Sequence, residues 1–191
     1  MNLNLRFAIV GVAATALCGC AGSIKNMSPV ANVNTAAGPQ EAVVVFLRPS
    51  GMAFGVQSEL FEINQGQPAQ LVGIVAAKKK IAYRTTPGPH MFMVIGESAD
   101  FMEAHLNGGQ TYYAVVTPRM GGWKARFSMR PLLPAEPAKL PAWLQEGEWT
   151  ALNQDSARWA AENAVDVESK RAKYMPQWLA KPPTERPLLD R

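Results

Sequence analysis

The sequence predicts a mainly β protein: a small antiparallel β-sandwich of about seven to eight strands, followed by a C-terminal helical extension. Three observations carry this expectation. Short apolar or alternating runs recur roughly every ten residues between residues 42 and 130, the rhythm of short strands joined by turns. Gly, Pro and Asn separate these runs, as turn chemistry requires. Beyond Asn153 the periodicity becomes helical.

The elements follow in order. Ala42-Val43-Val44-Val45-Phe46-Leu47 is a β-branched apolar run stopped by Arg48-Pro49-Ser50-Gly51, hence a buried strand and a turn. Val56 to Ile63 and Gln70 to Ala77 form a hairpin around Asn64-Gln65-Gly66-Gln67-Pro68. Ile81 to Thr85, Met91 to Gly96, Phe101 to Leu106 and Thr111 to Thr117 are further strands, the last opened by the turn Asn107-Gly108-Gly109. The clearest alternation comes last. Trp123, Ala125, Phe127 and Met129 face one way, and Lys124, Arg126, Ser128 and Arg130 the other.

After Arg130 the character changes. Pro131, Pro134, Pro137 and Pro141 oppose regular ladders and read as an extended surface connector. Asn153 and Asp155 suit the start of a helix that ends near Asn163, with Leu152, Trp159 and Val165 as contacts to the sandwich. A second helix runs from Asp166 to about Tyr174, limited by Pro176. Trp143, Trp149, Trp159 and Trp178 make this tail a candidate anchor for an envelope protein partner.

The N-terminus reads as an export address. Arg6 precedes the apolar run Phe7 to Leu17, which is shorter than the roughly 20 residues of a membrane span. Next comes Leu17-Cys18-Gly19-Cys20, which resembles the lipobox of bacterial lipoproteins. That resemblance implies cleavage before Cys20 and a covalent lipid on its thiol, and Ala21 in the following position implies the outer membrane. The expected organisation is a signal peptide over 1–19, a flexible tether over 20–40, the sandwich over 41–130 and the connector with helical extension over 131–191. The tether reading rests on one charge, Lys25, and no aromatic residue between Ala21 and Gln40.

Three stretches carry a second resemblance: Val44 to Ser50, Thr86-Pro87-Gly88-Pro89-His90, and Leu106 to Tyr113. Together they resemble bacterial lipoprotein domains with a carboxypeptidase-regulatory-like, or transthyretin-like, sandwich. The middle stretch looks like the Pro-Gly-x-His turn of surface-layer-associated repeats. The resemblance implies a fold and brings no catalytic residues.

Function classes narrow in the same way. Both cysteines lie in the first 20 residues, so the body has neither a disulfide framework nor a Cys zinc site. Net charge is only +4 with basic residues spread out, which argues against a nucleic-acid partner. No Gly-x-Ser-x-Gly elbow accompanies the two histidines, His90 and His105, so no catalytic residue is assigned and the chain is read as non-enzymatic. The carboxylates Glu59 with Glu62, and Glu97 with Asp100 and Glu103, read as solvated acids. His90, Met91 and Met93 are weak candidates for a copper or small-ligand site, since strand alternation sets His90 opposite the two methionines. Lys78-Lys79-Lys80, and the face of Lys124, Arg126 and Arg130, are candidates for meeting an anionic envelope partner or for keeping strand edges soluble. No cofactor is expected beyond the lipid on Cys20.

Overall fold

Ala42 to Arg48 is buried from end to end, and that strand organises the molecule. In the structure, a computed structural model describing residues 25–122 and 125–190, it lies near the middle of a six-stranded sheet. The order is β1 (Met27–Pro29), β10 (Glu148–Leu152), β5 (Lys79–Thr85), β2 (Ala42–Arg48), β8 (Gln110–Arg119) and β9 (Arg126–Pro131). A five-stranded sheet runs β11 (Leu188–Leu189), β7 (Ala99–Leu106), β6 (Gly88–Ile95), β3 (Ser58–Glu62) and β4 (Gln70–Val75). Two helices complete the fold, α1 (Leu140–Glu146) and α2 (Ser156–Leu179). Among the described residues, no helix is long and apolar enough to cross a membrane.

The protein is therefore mainly β with a C-terminal helix, as the strand rhythm predicts, and the eight expected runs correspond to β2 through β9. The antiparallel expectation needs correction, because both sheets are mixed. β2 pairs parallel to β8 from Ala42↔Gln110 to Leu47↔Val115, β10 pairs parallel to β5, and β11 pairs parallel to β7. The physical reason lies in β2, whose unbroken apolar run signals burial on both faces, the situation that suits parallel pairing. Val44 and Phe46 enter a cluster built from both sheets, where Phe46 meets Phe92 edge-on at 5.2 Å. Val43, Val45 and Leu47 point the other way, into a cluster with Leu140, Trp143 and Leu144 of the α1 segment and Trp149 of β10. Each such side chain contributes roughly 1.5–3 kcal/mol on burial.

The Pro87-Gly88 turn joins two sheets rather than two neighbouring strands. β5 ends in one sheet at Thr85 and β6 starts in the other at Gly88, whose φ of +132° only glycine adopts readily.

The tether expected over 20–40 is also corrected for its described part, 25–40. Met27 is 5% exposed, and its sulfur accepts the Ile74 N–H at 3.4 Å. β1 pairs with β10, the Lys25 and Asn26 carbonyls accept from Asn153 and Ser156, and Arg84 donates to the carbonyls of Asn34 and Ala36. Apart from the Met27 side chain, this segment is held by its backbone, a route that side-chain composition does not reveal.

The proline-rich connector is corrected as well. Pro137–Lys139 forms a 3₁₀ turn leading into α1, and the chain then enters the six-stranded sheet as β10. Proline fits here because it occupies first-turn positions, where no intrahelical N–H is needed. The two helices expected around Asn163 are one. Asn163 donates to the Trp159 carbonyl inside α2, and Pro176 sits within its last turns. Val167 and Trp178 form the buried stripe of α2, with Trp159, Tyr174 and Met175 beside it, whereas Val165 is 85% exposed and Leu152 44% exposed. All four tail tryptophans pack on the two core clusters, Trp178 buried and Trp143, Trp149 and Trp159 in part.

Candidate functional site

Three polar side chains meet between the two sheets. Glu62 ends β3, His90 lies near the start of β6, and Tyr83 reaches across from β5 in the other sheet. Glu62 is register-paired with Phe92, so His90, two residues away, shares its face. Glu62 receives the Tyr83 hydroxyl at 2.5 Å and a hydrogen bond from His90 Nδ1. His90 Nε2 lies 2.8 Å from the Thr86 carbonyl. Carboxylate and carbonyl are both acceptors, so this geometry favours the doubly protonated ring, the imidazolium.

The electrostatics agree. The Glu62 hydrogen bond outweighs burial and raises the His90 pKa above its ordinary value. Burial pushes the Glu62 carboxyl up, but hydrogen bonds from His90 and Tyr83 together hold it below its ordinary range. Burial, and then Glu62, push the Tyr83 hydroxyl upward. The His90 and Glu62 side chains are only 8% and 5% exposed. With both nitrogens committed, His90 offers no lone pair to a metal or a substrate. This cluster is a clasp between the two sheets.

The other expected site residues are dispersed. Met93 is register-paired with Phe101, which packs on Trp178 of α2, so it faces away from His90; His90, Met91 and Met93 are not brought together. Among the described residues, no three His, Cys, Asp or Glu side chains are grouped to hold a metal ion. Glu59 and Glu62 separate too. Burial raises the Glu59 carboxyl, which feels Lys170 and Asp166 of α2. Glu97 binds Arg126, and Glu103 binds Arg186.

Lys124 lies outside the described residues, as does Cys20. Its expected companions are paired: Arg126 holds Glu97 at 2.9 Å, and Arg130 grips Glu136 with both terminal nitrogens, at 2.7 and 2.9 Å. They line an open groove of about 590 Å³ with Asp100, Arg119, Lys181 and Glu185. The four cations there face four carboxylates once Glu97 and Glu136 are included, so the groove has no excess of positive charge. Of the lysine run, Lys79 and Lys80 are buried while Lys78 stays exposed. Lys78 pairs with Glu146 at 3.0 Å and Lys79 with Glu148. Lys80 donates to the Leu144 and Gly147 carbonyls and lies over the Trp149 ring at 4.8 Å.

Sequence reasoning missed Arg48. It ends β2 with no exposure, and its guanidinium donates to the carbonyls of Val56 (2.6 Å), Ala53 (2.7 Å) and Met52 (2.9 Å) while lying 4.9 Å from the Phe127 ring. Burial lowers its pKa to about 10, so it stays cationic at neutral pH. A non-glycine residue, Ala53, sits at φ +53°, and Ser50 Oγ accepts the Met52 N–H at 3.0 Å. A buried cation and a left-handed alanine thus fix a loop that turns apolar side chains outward. Met52 is 61% exposed, Phe54 57% and Val56 37%, and Met120, on the β8–β9 connection at the same end, is 92% exposed. The signal available in the sequence was an arginine closing a buried run ahead of a long uncharged segment, Pro49 to Gln57.

Compared with family models and with curated proteins, the chain matches none of them.

Proposed function

We propose that the chain is an outer-membrane lipoprotein facing the periplasm, anchored through a lipidated Cys20, and that its folded domain is a non-enzymatic binding or assembly module of the cell envelope. The observation that carries the reading is the Leu17-Cys18-Gly19-Cys20 box at the end of an apolar run too short to span a bilayer. Two further facts support it. No cysteine follows Cys20, and β1 begins only seven residues beyond it, at Met27. Several acyl chains on one residue give stable attachment, because each buried methylene contributes roughly 0.8 kcal/mol. The two sheets are read here as a transthyretin-like sandwich, supported by the core they share.

Intact-mass measurement of protein purified from membranes tests the anchor. The expected result is loss of residues 1–19 and the added mass of a diacylglyceryl group, abolished in Cys20→Ser. A mature N-terminus carrying no lipid mass would sink the proposal.

A further inference from the structure

Helix α2 buries Val167 and Trp178 and leaves a second apolar face uncovered. A helix turns about 100° per residue, so residues seven apart return to nearly the same direction. Val165, Ala172 and Leu179 have that spacing, and all three are exposed. The two ends of this face differ in shape. Val165 projects, with 85% exposure. Ala172, Met175, Pro176 and Leu179 instead border an open groove of about 350 Å³, with Glu168 and Arg171 at its other end. Those four residues follow the spacing i, i+3, i+4, i+7, the hole that receives one side chain of a facing helix. The groove is already formed. Glu168 accepts the Ala69 N–H at 2.7 Å and Arg171 donates to the Gln67 carbonyl at 2.9 Å, so the β3–β4 connection fixes its wall.

We propose that α2 pairs antiparallel with α2 of a second copy of this chain, each Val165 filling the other copy's groove. Projection and recess lie about ten residues apart on one face, so reversing the partner brings Val165 level with residues 172–179. Two-fold symmetry then makes the same contact twice, the isologous arrangement that closes a dimer. Another protein would need only the projection or only the recess. A face that carries both, at matching spacing, is complementary to itself.

The charges select the same direction. Glu162, Asp166 and Glu168 precede Lys170, Arg171 and Lys173 along the helix, so antiparallel copies set acid against base. In the register that seats Val165, Asp166 lies level with residues 174–175 and beside the partner's Lys173. Asp166 and Lys173 are both exposed on the same flank of the face, Asp166 held by Lys170 at 2.8 Å. Parallel copies would set acid against acid and leave both grooves empty. From Ala161 to Leu179 the face is about 27 Å long at roughly 1.5 Å per residue. One helix wide, it lies at the small end of specific interfaces, below roughly 1,200 Å² in total, so the pair is reversible. The pairing uses no part of the proposed anchor and stands or falls without it.

Sedimentation equilibrium of the full chain in mild detergent measures the pairing, with monomer and dimer expected to interconvert with concentration. Val165→Glu puts a charge into the apolar groove and should weaken dimerisation tenfold or more. Val165→Ser should weaken it in the same direction, and both should keep Tm, because the side chain is exposed. Asp166→Lys or Lys173→Asp alone should weaken the dimer about tenfold, and the two together should recover it to within about threefold. Monomer at every concentration, or a dimer that Val165→Glu leaves intact, would overturn the pairing. A double charge exchange that stays as weak as the single ones would overturn the antiparallel register. A complex with a different protein, lost on Val165→Glu, would give the groove another occupant and overturn the proposal equally.

Discussion

His90 holds its proton because both of its neighbours are acceptors, and that single fact makes the clasp sensitive to pH from two sides. The folded pKa of His90 is raised above 6.5, so the stability it adds is fully present below 6.5 and is lost as pH rises through the raised value. The folded pKa of Glu62 is lowered below 4.5, so its stability is fully present above 4.5 and is lost as pH falls through the lowered value. Stability from the clasp should therefore be greatest between about pH 4.5 and 6.5 and decline on either side. Tyr83→Phe removes one hydrogen bond to Glu62 and should cost about 1 kcal/mol at pH 6, leaving the decline at high pH in place. Denaturant unfolding across pH, with an NMR titration of the His90 ring, checks both statements. A His90 pKa at or below 6.5 would mean that Glu62 does not favour the charged ring and the clasp is misassigned.

At the scale of elements, the lysine run and the proline cluster explain each other. Residues 140–152 lay Leu140, Trp143, Leu144 and Trp149 on the outer face of β2, and they are further held where Lys78, Lys79 and Lys80 meet them. Lys80→Ala removes the donor to two carbonyls and the cation over Trp149, and should destabilise the protein by about 2 kcal/mol. Hydrogen exchange should quicken across 148–152 and stay unchanged in β3 and β4. Uniform quickening throughout would show that Lys80 supports the whole core rather than this segment. The same pair of features marks the limit of reading a sequence. The alternation of Phe127 and Met129 with Arg126 and Arg130 encodes a strand directly, because side-chain direction has period two. The run Val43 to Leu47 encodes burial on two faces but says nothing of the direction of its neighbour, so parallel pairing to β8 stays hidden. Three consecutive lysines read as solvated charge because their partners, Glu146, Glu148 and the Leu144 and Gly147 carbonyls, lie more than sixty residues away. Arg48 is hidden likewise, since its acceptors are carbonyls, which every residue owns.

For the molecule as a whole, the boundary expected at residue 130 does not mark an independent unit. β10 occupies one sheet and β11 edges the other, while α1 covers the outer side of β2, and α2 packs against β7. A chain ending at Pro131 would expose Val43, Val45 and Leu47 on one face and Phe101 on the other, at roughly 1.5–3 kcal/mol for each side chain uncovered. Domains hold only roughly 5–15 kcal/mol in total, so losing several such contacts leaves no stable remainder. Residues 25–131 alone should therefore be unfolded or aggregated, whereas the mature chain should unfold in a single transition. The tail tryptophans supply the probe, because Trp143 and Trp149 sit against one face while Trp159 and Trp178 sit in the cluster the sheets share. Their fluorescence and the β-sheet circular dichroism should change at the same denaturant concentration. Tryptophan signals that move first, with the sheet signal intact, would show that the sheets stand alone and that the C-terminal sixty residues are an accessory after all.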